Sequence, residues 1–219
     1  MNRTSDARWI VDQLSARFGA ISESTRDPVE MLVLTILSQN TTDTNRDRAY
    51  VALIHRFGTL NAVAHAKEEE IADAIRVGGL QRQKARSIRQ SLGRVPVERG
   101  QLDLGFLERM ETADALAWLL TLPGVGRKTA GIVLLFAFNK PYFPIDTHIR
   151  RVLQRLGWVH GKEEPHRRVN ALLDEDPELM VGLHLQLIRL GRTLCRPRKP
   201  QCGGCPIRAR CDYAKESAP

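Results

Sequence analysis

The sequence of 219 residues contains no long apolar run: the longest, residues 132–138, falls far short of the roughly 20 residues a helix needs to cross a bilayer. Arg3, Asp6, Arg8 and Asp12 interrupt the N-terminal region, which therefore lacks the apolar core of a secretory signal. No segment alternates apolar and polar residues with the period of two that a half-buried strand requires, and there is neither a low-complexity tract nor a solenoid repeat. These absences argue against a membrane-spanning helix and a repeat array. They lead to the expectation of a soluble, cytoplasmic or nucleoid-associated protein in a compartment where thiols stay reduced. Cysteine is scarce, four residues in all, and a chain of this length buries a core without covalent staples.

What is abundant is positive charge and helical periodicity. Lys and Arg number 33 against 25 Asp and Glu, a net charge of +8, which favours an anionic partner such as nucleic acid. Apolar residues recur at helical spacing, as in Trp9, Ile10, Leu14 and Phe18, or Tyr50, Leu53, Ile54 and Phe57. Asp27-Pro28, Thr42-Asp43, Thr59 and Thr112 supply starts, and Gly58, Gly78-Gly79, Gly93 and Gly157 supply stops. The pattern predicts an all-α protein with helices at about 5–17, 28–39, 43–57, 60–66, 68–77, 81–92, 112–121, 126–138, 147–156, 163–174 and 177–193. Residues 95–107, with Pro96, Gly100 and Gly105, are expected to form a loop.

Three features carry chemistry. The first is Leu122-Pro123-Gly124-Val125-Gly126-Arg127-Lys128-Thr129-Ala130, a glycine turn leading into a helix. Amides at such a helix start bind a phosphate without reading a base, although an ordinary helix connection uses the same turn. Lys128 stands in the first helical turn, where the positive end of the macrodipole opposes a cation and favours the uncharged form a nucleophile needs; a phosphate contact is the plainer role. The second is Asp146 in Asp146-Thr147-His148, placed to cap the next helix and also able to stabilise positive charge on a sugar whose base departs. The third is Cys195, Cys202, Cys205 and Cys211, separated by six, two and five residues. Their clustering argues for one metal centre, either tetrahedral zinc or a [4Fe-4S] cluster, with disulfides as the alternative in an oxidising compartment. Arg196, Arg198 and Lys199 lie in the first cysteine loop, with Arg208 and Arg210 beyond it, placed to meet phosphates if a metal fixes the loops.

Together the string 122–130, Asp146 eighteen residues after Lys128, and the cysteine spacing resemble the endonuclease III family, a resemblance that runs from near Pro28 to Cys211. It implies a two-domain helix-hairpin-helix DNA glycosylase fold, with a six-helix domain at 22–139 and a cluster domain formed by 1–21 and 140–219. It implies a bifunctional DNA glycosylase and abasic-site lyase, acting as a monomer on duplex DNA that carries base lesions or abasic sites, with oxidised pyrimidines as the expected targets. Lys128 would be the Schiff-base nucleophile and Asp146 its acidic partner at the mouth of a cleft. The hairpin residues Gly124, Val125, Gly126 and Arg127, with Arg196, Arg198 and Lys199, would contact DNA, and the cysteines would hold a structural [4Fe-4S] cluster. Gln39 and Asn40 are candidates to fill the gap left by a flipped-out nucleotide, Asn40 matching the family's usual glutamine, and Leu80 matches its apolar wedge. An adenine-mismatch glycosylase is disfavoured because Thr35 stands where such enzymes have a glutamate, and a thymine-mismatch glycosylase because Lys128 is not tyrosine. A non-enzymatic DNA-binding protein with a zinc knob is the alternative of another class.

Overall fold

The computed structural model describes residues 3–21, 26–161 and 165–216. Among them every regular element is helical. In chain order these are α1 (Arg3–Phe18), α2 (Pro28–Leu37), α3 (Asp43–Phe57), α4 (Leu60–His65), α5 (Glu68–Ala74), α6 (Gln81–Arg99), α7 (Thr112–Leu120), α8 (Arg127–Phe138), α9 (Thr147–Arg155), α10 (His166–Leu172), α11 (Pro177–Thr193) and α12 (Asp212–Glu216). Short 3-10 turns lie at Arg76–Gly78, Gly105–Arg109, Cys202–Gly204 and Arg208–Arg210. The expected domain boundary at 22 and the expected helix start at 163 fall outside the described residues. No helix among the described residues is long and apolar enough to cross a membrane.

The chain separates into two compact units, Thr25–Phe138 and Met1–Ser24 with Asn139–Pro219. The first is organised around α2, in which every residue except Pro28 and Glu30 is buried. A helix apolar on all sides is stable only inside a core, and α3, α6 and α8 enclose it. Its start is fixed by Asp27, whose carboxylate accepts from the amides of Val29 and Glu30 at 3.0 Å each, with Pro28 pre-set for the first turn. The second unit packs α1 and α9 on α11, joining Ile10 and Leu14 to Leu183, Leu187 and Leu190, and Ile149 and Val152 from α9.

The expected helix stop at Gly93 and the expected loop at 95–107 are corrected by the structure. α6 runs through Gly93 and Pro96 to Arg99 and ends at Gly100, whose φ of 83° is the left-handed cap. Gly93 is a packing residue: a Cβ there would come within 2.9 Å of the Arg89 guanidinium, which caps α4 through the Ala66 carbonyl at 2.8 Å. Pro96 lies in the last turn, where its missing N–H deprives only the Leu92 carbonyl. The expected helix at 68–77 likewise ends at Ala74 and gives way to a 3-10 turn, and α12 has too few residues to show a period in sequence.

A continuous α6 makes an opposite-signed pair of expectations. Pro96→Ala restores a helical donor and should stabilise by about 1 kcal/mol, whereas in a loop it would destabilise by a similar amount through added unfolded-state entropy. Gly100→Ala forces a Cβ into the left-handed region and should cost about 1 kcal/mol. Thermal melts of both variants check this; a lower Tm for Pro96→Ala would contradict it.

Candidate active site and cysteine centre

The hairpin turn in the first unit is anchored by its two buried apolar residues, Leu122 and Val125. Its two glycines do different things. Gly124 has a φ of 75°, and a Cβ there would collide with the Ser87 hydroxyl. Gly126 needs neither property: its φ is not positive and no atom lies within 4 Å of where its Cβ would be, so it leaves room for another molecule to approach the backbone. Side chains from two other elements hold the turn. Ser91 Oγ donates to the Pro123 carbonyl at 3.3 Å and Gln39 Nε2 to the Gly124 carbonyl at 3.1 Å. α8 then begins at Arg127, with Lys128 half-buried in a first turn that contains no acidic residue. That turn presents a positive dipole end with no carboxylate of its own to satisfy it.

The two polar candidates after α2 differ in their contacts. Gln39 is committed to the hairpin, whereas Asn40 is exposed and adopts a φ of 50°, a left-handed conformation that asparagine tolerates. Leu80 precedes α6, is 47% exposed, and also has a positive φ, 48°, which is costly for a branched apolar residue. Thr35 is buried in α2 with its hydroxyl donating to the Met31 carbonyl at 2.7 Å.

In the second unit Asp146 caps α9, its Oδ1 accepting from the Ile149 amide at 2.7 Å. The segment before it is buried from Tyr142 to Ile145 and fixed by residues the sequence did not single out. His166 Nδ1 bonds the Phe143 carbonyl at 3.0 Å, His184 Nδ1 the Pro144 carbonyl at 3.1 Å, and Asn170 Oδ1 accepts from the Phe143 amide at 2.9 Å. Facing carbonyls, both histidines must carry their proton on Nδ1.

The four cysteines form no disulfide and line one cavity, with Arg155, Leu190, Ile207 and Tyr213 among its walls. Burial pushes the Cys205 thiol up to about 11 and raises that of Cys211, with repulsion added by the other three sulfurs at Cys205 and by Cys195 and Cys202 at Cys211. Four bare thiolates are therefore unfavourable here, and a cationic centre would offset both effects. No group of three or more His, Cys, Asp or Glu side chains among the described residues is arranged to hold a single metal ion. Two arginines of α9, four residues apart, hold the first cysteine loop. Arg151 donates to the carbonyls of Gly191 and Cys195 at 2.7 and 2.9 Å, and Arg155 to Cys195 Sγ at 3.1 Å and to the carbonyls of Arg196 and Pro197. Their i, i+4 spacing was the available sequence signal. Arg196, Arg198 and Lys199 are exposed. Arg210, expected among the phosphate-facing cations, is instead paired with Asp6 at 2.7 Å and stacked on Trp9, because α1 passes beside it.

Residues 33–175 match the HhH-GPD superfamily base excision DNA repair protein family, which defines the class. The chain is 38% identical over 191 residues to endonuclease III of Thermotoga maritima, spanning 85% of this chain and 84% of that one. It is 33% identical over 197 residues to endonuclease III of Escherichia coli strain K12, spanning 86% and 85%. Among solved structures it is similar to a trapped covalent intermediate of endonuclease III with DNA, with a TM-score of 0.77, 29% identity and 97% of each chain covered. It is also similar to a thermostable thymine-DNA glycosylase, with a TM-score of 0.74, 25% identity, and 98% of this chain and 97% of that one covered. The chain belongs to the endonuclease III family of base excision DNA repair proteins.

The unequal glycines give a stability test. Gly124→Ala meets both a positive φ and the Ser87 side chain and should cost about 1–3 kcal/mol, while Gly126→Ala should leave stability within about 0.5 kcal/mol. Denaturant unfolding of the two variants checks this; equal losses would show that the turn needs both glycines for folding.

Proposed function

We propose that the protein is a bifunctional DNA glycosylase and abasic-site lyase that excises oxidised pyrimidines from duplex DNA, with Lys128 as nucleophile and Asp146 as the supporting carboxylate. The observation that carries this reading is Lys128 itself, in the first turn of a helix entered from a braced hairpin, beside a glycine that leaves the backbone open. Amides of that turn would bind a phosphate and deliver Lys128 to the adjoining nucleotide. The uncharged Nζ attacks C1′ as the base leaves, the C1′–O4′ bond then opens to give the imine, and the imine acidifies the C2′ proton so that the 3′ phosphate departs by β-elimination. Asp146 keeps one oxygen on the Ile149 amide, which fixes its orientation, and its negative charge stabilises the sugar cation that forms as the base departs. Asn40 is the residue proposed to fill the vacated stack, because Gln39 is occupied by the Gly124 carbonyl, and Leu80 is the wedge on the other strand.

Cys195, Cys202, Cys205 and Cys211 are proposed to hold a [4Fe-4S] cluster, supported by four thiols lining one cavity. When bound, the cluster supplies a cationic core that neutralises the thiolates and fixes the loop bearing Arg196, Arg198 and Lys199 for phosphate contact. Purified protein should contain about four irons per chain and absorb in the visible. Colourless protein with stoichiometric zinc would overturn this assignment.

The catalytic assignment is tested by borohydride trapping on a duplex with one oxidised pyrimidine. Lys128→Gln should abolish both trapping and strand cleavage while duplex affinity changes by about twofold or less, since one phosphate-range charge is lost among many. Asp146→Asn should keep the helix cap yet lose base excision by about a hundredfold or more. Trapping that persists in Lys128→Gln would assign the nucleophile to another amine.

A further inference from the structure

Lys84 is among the largest side chains in the fully buried set, only 1% exposed, in the first turn of α6. Its ammonium donates to the Leu37 carbonyl at 2.7 Å and to the Gly78 carbonyl at 2.8 Å. Both acceptors are the last residues of helical segments, α2 and the 3-10 turn Arg76–Gly78, whose terminal carbonyls lack helical donors and attract a cation. This explains how a buried charge is tolerated. Burial lowers its pKa, and the two carbonyls give the buried ammonium hydrogen-bond partners.

Those two helix ends lead directly into the segments proposed to enter DNA. Three residues beyond Leu37 is Asn40, and two beyond Gly78 is Leu80, each in a left-handed conformation. The Leu80 carbonyl accepts from the main-chain amide of residue 84 at 3.0 Å, the opening bond of α6 that any residue there would make. A backbone conformation as costly as that of Leu80 persists where its surroundings over-determine it, and the Lys84 side chain adds to that restraint by holding the Gly78 carbonyl two residues before it.

We propose that Lys84 is a positioning residue, which locks the Asn40 and Leu80 segments into one spacing so that they enter the two strands of the duplex as a single unit. The proposal rests on the DNA-probing roles assigned to Asn40 and Leu80 above. It concerns the opening of the lesion site and not the phosphate grip, so it separates excision from general DNA affinity. Misplacing such a unit by on the order of 1 Å is expected to slow excision by about tenfold to a hundredfold.

The test is Lys84→Met, which keeps the stem and removes the donors, with Lys84→Gln as a second variant whose shorter amide can satisfy one carbonyl. Single-turnover excision from a duplex with one oxidised pyrimidine should fall by about tenfold or more for Met and by less for Gln. Kd for an undamaged duplex should stay within about twofold. Leu80→Ala combined with Lys84→Met should be no slower than the slower single variant, because both act on one step. Amide hydrogen exchange should quicken in residues 38–40 and 78–80 together. Wild-type excision in Lys84→Met, additive losses, or parallel loss of duplex affinity would overturn the proposal. If Lys84→Met does not fold, Lys84→Gln is read against the same outcomes. If the wild-type protein excises no oxidised pyrimidine, the functional reading fails instead, and the exchange measurement still decides whether Lys84 ties the two segments.

Discussion

A helix leaves its last carbonyls without donors, and in the first unit of this protein α6 supplies them. Lys84 bonds the end of α2 and of the 3-10 turn before α6, Arg89 the Ala66 carbonyl after α4, and Arg94 the Thr121 carbonyl after α7 at 2.9 Å. Lys84, Ser87, Ser91 and Arg94 follow at steps of three, four and three, one face of a helix. That face also receives the hairpin, through Ser91 on Pro123 and Ser87 against Gly124. Segments separated by up to some eighty positions in sequence are thus registered on one rigid rod. Polar bonds, which are directional, add to the close apolar packing of α6 in setting their mutual spacing.

In the second unit α9 uses the same device. It starts at Asp146 and ends at Arg155, a span of about 13 Å at 1.5 Å per residue. Arg151 caps the end of α11 through Gly191, and Arg155 holds three groups of the first cysteine loop. The orientation of the proposed catalytic carboxylate and the path of the basic loop are therefore set by opposite ends of one short helix. A metal centre on the cysteines would stiffen a loop already tied by two arginines.

Sequence pattern made the all-α class and most helix positions legible, because apolar period and capping residues act locally. It failed at α6, where Gly93 and Pro96 read as terminators. A glycine that makes room for Arg89 and a proline in a final turn are decided by neighbours distant in sequence. The hairpin, Lys128, Asp146 and the cysteines were visible because their residue types and spacings are unusual. Lys84 was not, since Gln81-Arg82-Gln83-Lys84-Ala85-Arg86 contains three cations that residue type alone does not distinguish. The signal was present in the register: Lys84 shares a face with Ile88, Ser91 and Val95, all buried. His166 and His184 were missed for a related reason, because a histidine that bonds a loop carbonyl leaves no pattern along its own helix.

The choice of acceptor for these buried and half-buried cations bears on function. Burying a cation usually calls for a carboxylate, and each such carboxylate would add negative charge near whatever surface the phosphates approach. Lys84, Arg89 and Arg151 bond main-chain carbonyls, which carry partial negative charge at helix ends and no formal charge at all. Arg94 bonds the Thr121 carbonyl and also the Glu98 carboxylate, and that pair, like Arg26 with Glu30, Arg46 with Asp43 and Asp47, and Arg86 with Glu68, is partly exposed and of the kind that contributes little to stability. Carbonyl acceptors add no negative charge, so the cations they hold still count toward the net charge of +8. A protein that must both order its loops with cations and grip a polyanion has reason to satisfy the first demand with carbonyls, because that leaves the field over its surface positive for the second.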